Sequence, residues 1–271
     1  MSERTQYPSG VPCWVDTLQR DPAAALAFYA EVFGWEFAGP GPMPGSSSDQ
    51  YFVARLRGRE VAGIGSLPPQ QPPVVWNTYV SVDDAAAACE RVRGAGGAVA
   101  VPPFDAPPAG RIAVVADPEG AVFCLWEPNE RKGAQIVNEP SAWAMSALLA
   151  RDPQRAAAFY RDAFGWETDT FAAGPTQVTL FRLPGYVGGE PQQPVPRDVV
   201  AVAIPAGDAL PTGVNAQWSV DFWIADVDAA AQTAARHGGT LLEPPHDVPG
   251  FRRCVLADPQ GAIFSLSRLN R

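Results

Sequence analysis

RDPAAALAFYAEVFGWE, residues 20–36, returns as RDPQRAAAFYRDAFGWE at residues 151–167. The copies lie 131 residues apart and match at both ends, so the chain carries an internal duplication, and a period of this size marks a repeated domain. Each copy reads as a helix. Asp21 or Asp152 can accept the first free backbone N–H groups, and the following proline suits the first helical position. Leu26, Tyr29 and Phe33 recur on one helical face, and Gly34 supplies a left-handed stop.

Working outward, the rest of each half repeats too. Trp76 and Asp84 are matched by Trp218 and Asp226. Gly96-Gly97 and Pro102-Pro103 are matched by Gly238-Gly239 and Pro244-Pro245. Ala116-Asp117-Pro118-Glu119-Gly120 returns as Ala257-Asp258-Pro259-Gln260-Gly261, a turn signal between two apolar runs. Strands are expected at Trp14–Leu18, Tyr51–Leu56, Val61–Ile64, Val74–Val82, Ala98–Val101, Arg111–Val115 and Val122–Trp126, with a second helix from Asp84 to Arg93. The fold class is therefore α+β, with four βαβββ modules. The expected division is a first domain at 1–130, a polar linker at 131–138 and a second domain at 139–271.

Composition narrows the function. The 271 residues are 46% hydrophobic and 18% charged, which suits packed domains rather than disorder. With 29 acidic and 20 basic residues the net charge is −9, and no basic run exceeds two residues, so nucleic acid is not an expected partner. No apolar run is long enough to span a bilayer, and residues 1–6 lack the apolar core of a signal peptide. A cytoplasmic protein without membrane association is expected. None of Cys13, Cys89, Cys124 and Cys254 forms a C-x-x-C pair. The sole lysine, Lys132, lies in the linker. His237 and His246 are the only histidines, so the first half has no imidazole base of its own.

The combination Asp-Pro…Phe-Tyr…Phe-Gly-Trp, a later Trp…Asp, Gly-Gly and Asp-Pro-x-Gly resembles the vicinal oxygen chelate (glyoxalase/bleomycin resistance/extradiol dioxygenase) superfamily. Within it the chain is similar to a tandem two-domain, SgaA-like branch. The resemblance implies two tandem glyoxalase-like half-open barrels, each built from two modules around a cavity. It also implies divalent-metal ligands on the first and last strands. Those positions lie seven residues before the helix-starting Asp and seven after the turn Asp. Here they hold Trp14, Asn77 and Cys124 in the first half, and Met145, Ser219 and Ser265 in the second. None is the His or Glu that such an ion requires. No metal and no other cofactor is expected.

Alternation along strands then suggests what faces each cavity. Trp14 shares a face with Asp16, Asn77 with Tyr79, Cys124 with Trp126, Ser219 with Asp221 and Trp223, and Ser265 with Ser267. Trp14, Asn77, Cys124, Trp126, Met145, Ser219, Trp223 and Ser265 are the expected ligand-binding residues. Asp16, Asp221 and Tyr79 are the candidates for acid–base catalysis, since an inward carboxylate on an apolar strand must be paired, hydrated or shifted in pKa. The expected function is metal-independent binding of a small organic, aromatic or polyketide-like molecule. The alternatives are a cofactor-independent cyclase, isomerase or lyase, and a largely structural pseudo-dimer. Either a monomer or a homodimer fits this reading.

Overall fold

The computed structural model describes residues 3–43, 46–67, 73–174, 176–207 and 215–270. Met1 and Ser2 of the N-terminal stretch lie outside them. The first half runs β1 (Pro12–Gln19), α1 (Pro22–Phe33), β2 (Glu36–Met43), β3 (Ser46–Leu56), β4 (Arg59–Ser66), β5 (Trp76–Ser81), α2 (Ala85–Gly94), β6 (Ala98–Ala106), β7 (Gly110–Ala116) and β8 (Val122–Pro128). The second half repeats it. It runs β9 (Trp143–Ala150), α3 (Pro153–Phe164), β10 (Glu167–Ala173), β11 (Thr176–Arg182), β12 (Val199–Pro205), β13 (Gln217–Trp223), α4 (Val227–Arg236), β14 (Thr240–Val248), β15 (Phe251–Ala257) and β16 (Ile263–Leu269).

Each half forms one eight-stranded sheet, curled as a half-barrel. The orders are β2-β3-β4-β1-β5-β8-β7-β6 and β10-β11-β12-β9-β13-β16-β15-β14. At the centre of each sheet, the opening strands of its two modules pair antiparallel, β1 with β5 and β9 with β13. The helix signals act as expected. Asp21 Oδ1 accepts from the Ala24 amide at 3.0 Å, and Gly34 closes α1 at φ 70°. Asp84 and Asp226 likewise cap α2 and α4. The buried stripe of α1 is Ala25, Phe28, Tyr29, Val32 and Phe33, while Leu26 is only partly covered. His246 lies in β14.

The two halves interlock. Phe33 of α1 packs 4.9 Å from Phe222 of β13, and Phe28 packs against Phe264 of β16. In the mirror arrangement, Tyr160 of α3 packs against Phe123 of β8. The Asp-Pro-x-Gly turns take part. Asp258 folds its own turn through the Gln260 and Ala262 amides, and it also accepts from Tyr29 Oη at 2.9 Å and Gln19 Nε2 at 2.7 Å. Asp117 receives Tyr160 Oη at 3.2 Å. Trp35 and Trp166 donate across the divide to the carbonyls of Ser141 and Gly10. Each half thus supplies a helix whose aromatic side chains reach strands of the other half.

Candidate functional site

Strand register decides which side chains face into each half-barrel. Trp76 and Trp218 point outward, where their indole N–H groups donate to Tyr29 and Tyr160 of the covering helices. Their neighbours Asn77 and Tyr79, and Ser219 and Asp221, therefore point to the concave side.

In the first half, Asp16 sits at the centre of that side and is 2% exposed. Asn77 Nδ2 donates to Oδ1 at 2.9 Å, while Tyr79 Oη and Tyr51 Oη donate to Oδ2 at 2.7 and 3.0 Å. Trp14 Nε1 in turn donates to Tyr51 Oη at 3.0 Å. Burial raises the Asp16 pKa, and the three donors work against that rise. Burial, then the Asp16 charge, holds the Tyr79 and Tyr51 hydroxyls well above the ordinary tyrosine value. Burial also pushes the Cys124 thiol pKa up.

Arg131, just beyond β8, closes this half. Arg131 lies 5.5 Å over the Trp14 ring, and its Nε donates to Glu60 at 2.9 Å. Its carbonyl accepts from Trp126 Nε1 at 2.9 Å. Trp14, Cys124 and Trp126 are all buried. The structure therefore brings Asp16, Asn77 and Tyr79 together as the sequence suggests, and fills the space between them with Tyr51. Alternation gave no hint of Tyr51, Glu60 or Arg131; the available signal was the Gly63-x-Gly65 pair on β4.

The second half keeps the frame and changes the contents. Ala147 stands where Asp16 does, Met145 where Trp14 does, Asp221 where Tyr79 does, and Ser267 where Trp126 does. Ser265 Oγ donates to Asp221 Oδ1 at 2.7 Å, and Ser267 Oγ donates to Oδ2. Asp221, Ser219 and Met145 remain partly exposed, with Trp223 beside them at 8% exposure. Burial raises the Asp221 pKa to about 6, against the pull of the two hydroxyls and Arg253. Met145 also borders a cavity of about 40 Å³ shared with Trp143, Asn138 and Tyr7.

Asp221 yields a pH prediction. A raised carboxyl pKa means that the folded state holds its proton more tightly than the unfolded chain. Its contribution to stability is full below the unfolded value near 3.8 and declines as pH rises to about 6. Asp221→Asn is expected to flatten that part of the urea-midpoint profile between pH 4 and 6.5. An unchanged slope would assign the titration to another group.

Other charged candidates are already paired. Arg111 meets Asp105 and Glu127, and Arg252 meets Asp228 and Asp247. Among the described residues, no group of three or more His, Cys, Asp or Glu could hold a metal ion. At the six family ligand positions stand an indole, an amide, a buried thiol, a thioether and two hydroxyls, a set that does not fit a divalent cation.

Comparison with known proteins agrees with the fold. Residues 14–125 match the Glyoxalase/Bleomycin resistance protein/Dioxygenase superfamily, and residues 144–267 match a glyoxalase-like domain. The chain is 38% identical over 272 residues to "Putative glyoxylase CFP32" of Mycobacterium bovis, covering 98% of this chain and 97% of that protein. It is 32% identical over 281 residues to the anthracycline biosynthesis protein DauV of a Streptomyces species, covering 98% and 95%. Among solved structures, the Mn(II)-bound glyoxalase from Novosphingobium aromaticivorans superposes with a TM-score of 0.63 at 16% identity, covering 96% of this chain and 82% of that one.

Proposed function

This chain belongs to the Glyoxalase/Bleomycin resistance protein/Dioxygenase superfamily, and from that premise we propose that it binds a small organic molecule without the divalent ion. Binding takes place on the concave face of the second half. The observation that carries this reading is the exchange of contents between matched positions. Bulky Trp14, Tyr79 and Trp126 are replaced by Met145, Asp221 and Ser267, which leaves a thioether, hydroxyls and a carboxyl beside Trp223. Apolar walls with a few convergent polar groups are the usual composition of an organic-ligand site. The names of the relatives in anthracycline biosynthesis favour a polycyclic aromatic ligand.

Titration with 1,8-dihydroxyanthraquinone in the presence of EDTA tests this, read through tryptophan emission. Saturable binding is expected. Ser219→Trp, which fills the concave face, is expected to weaken it by about 100-fold with an unchanged circular dichroism spectrum. Equal affinity in the variant, or binding abolished by EDTA, overturns the proposal.

One observation favours a second reading as a cofactor-independent enzyme. Asp221, held between two hydroxyls with its pKa raised by burial to about 6, is placed to move a proton to or from a bound ligand. Asp16 and Tyr79 are less suited, because each is buried and spends its hydrogen-bonding capacity on the other. If turnover of a natural product is found, its rate should fall in Asp221→Asn and survive in Tyr79→Phe; the reverse pattern excludes this assignment.

A further inference from the structure

Tyr51 occupies a slot bounded by two glycines, Gly63 and Gly65, on the neighbouring strand. A Cβ added at Gly63 would lie 1.8 Å from Tyr51 Oη, and one at Gly65 would lie 2.9 Å from its ring Cδ2. Neither glycine has a positive φ, so the backbone would accept another residue and space is what excludes it. The matched strand of the second half has no such slot. Val202 pairs with Ala147 where Gly63 pairs with Asp16, and Ile204 pairs with Leu149 where Gly65 pairs with Leu18.

The hydroxyl is recognised as specifically as the ring. It receives a hydrogen bond from Trp14 Nε1 and gives one to Asp16 Oδ2, both at 3.0 Å. Asp16 is oriented independently by Asn77 and Tyr79. One donor and one acceptor thus converge on a hydroxyl at the end of a ring-shaped slot. Strand β3, which delivers Tyr51, lies next to the sheet edge and is separated from it only by β2.

We propose that the first half-barrel is a binding site for a phenol, held closed by the chain's own Tyr51. The tethered side chain acts as an intramolecular ligand at high effective concentration, so a free phenol competes poorly with it in the native chain. The proposal concerns the first half alone and does not depend on what the second half binds.

Tyr51→Ala tests it, with p-cresol and toluene as probes of nearly equal size. Calorimetry is expected to show one p-cresol bound per chain, with toluene at least about tenfold weaker because it leaves the Trp14 N–H without an acceptor and Asp16 without its third donor. Excess p-cresol should raise the variant's Tm by about 3 °C and leave the native chain unmoved. No p-cresol binding, or equal binding of toluene, overturns the proposal. If the variant is recovered unfolded, refolding is repeated with each probe. Rescue by p-cresol alone supports the site, and rescue by both or by neither rejects it.

Discussion

Phe222→Ala is expected to lower the unfolding free energy by about 4 kcal/mol while leaving a single cooperative transition. The side chain is fully buried on β13 of the second half, yet three of its ring neighbours belong to the first half. Phe33 and Trp76 lie at 4.9 Å and Trp35 at 5.6 Å, and Phe264 of its own half is farther, at 6.1 Å. Truncation removes the transfer free energy of a benzyl group and leaves a void between elements that cannot close independently. If the halves were separate domains, the loss would fall on one of two transitions. Urea unfolding followed by near-ultraviolet circular dichroism and by tryptophan emission checks this. Two resolved transitions, or a loss below about 1 kcal/mol, would contradict the interlocked core.

The second large effect is expected at Asp16. Asp16→Ala should cost about 3 kcal/mol, because it strands the buried Tyr79 hydroxyl and the half-buried Tyr51 hydroxyl and Asn77 amide. Asp16→Asn should cost less, since one amide oxygen still accepts while the new N–H₂ faces donors. The sign of the pH dependence separates the two effects. Burial raises the Asp16 pKa, so the carboxyl's contribution is greatest at low pH and declines as pH rises above the unfolded value of 3.8. Both variants should therefore lose least relative to wild type at neutral pH and most at the acid end. Urea midpoints measured across pH 3.5 to 7 would show it, and a penalty below about 1 kcal/mol for the alanine variant would mean that solvent reaches these groups.

Much of this architecture is legible in the sequence, for identifiable reasons. The helices carry local signals, an Asp cap, a proline and a closing glycine, and these need no tertiary context. The two-residue period of a strand assigns faces even on β1 and β5, which are buried on both, and this grouped Asp16 with Asn77 and Tyr79, and Asp221 with Ser265 and Ser267. Edge strands were harder. Residues 36–43 contain Pro40 and Pro42, and β14 contains Pro244-Pro245, which weaken any strand signal there. Both lie at sheet edges and show register shifts, where a missing N–H is tolerated.

What the sequence could not reveal is contact between distant segments. Tyr29 and Asp258 are 229 positions apart, and nothing local connects them. The same holds for Arg131 over Trp14, and for Tyr51 in the slot left by Gly63 and Gly65. Alternation names the face on which a residue lies, and cannot say whether a neighbour already fills the space in front of it. Two cavities that differ at matched positions, Trp14 against Met145 and Tyr79 against Asp221, were therefore expected, whereas the first half is filled by its own side chains.

Metal content tests most directly the central proposal, that recognition rests on rings, hydroxyls and one carboxyl in place of a cation. The chain is purified without chelator, incubated with manganese, iron, nickel and zinc, desalted and measured by plasma mass spectrometry. Metal well below one equivalent per chain, together with undiminished ligand binding, is the expected result. A stoichiometric ion, located by anomalous scattering inside either half-barrel, would contradict it.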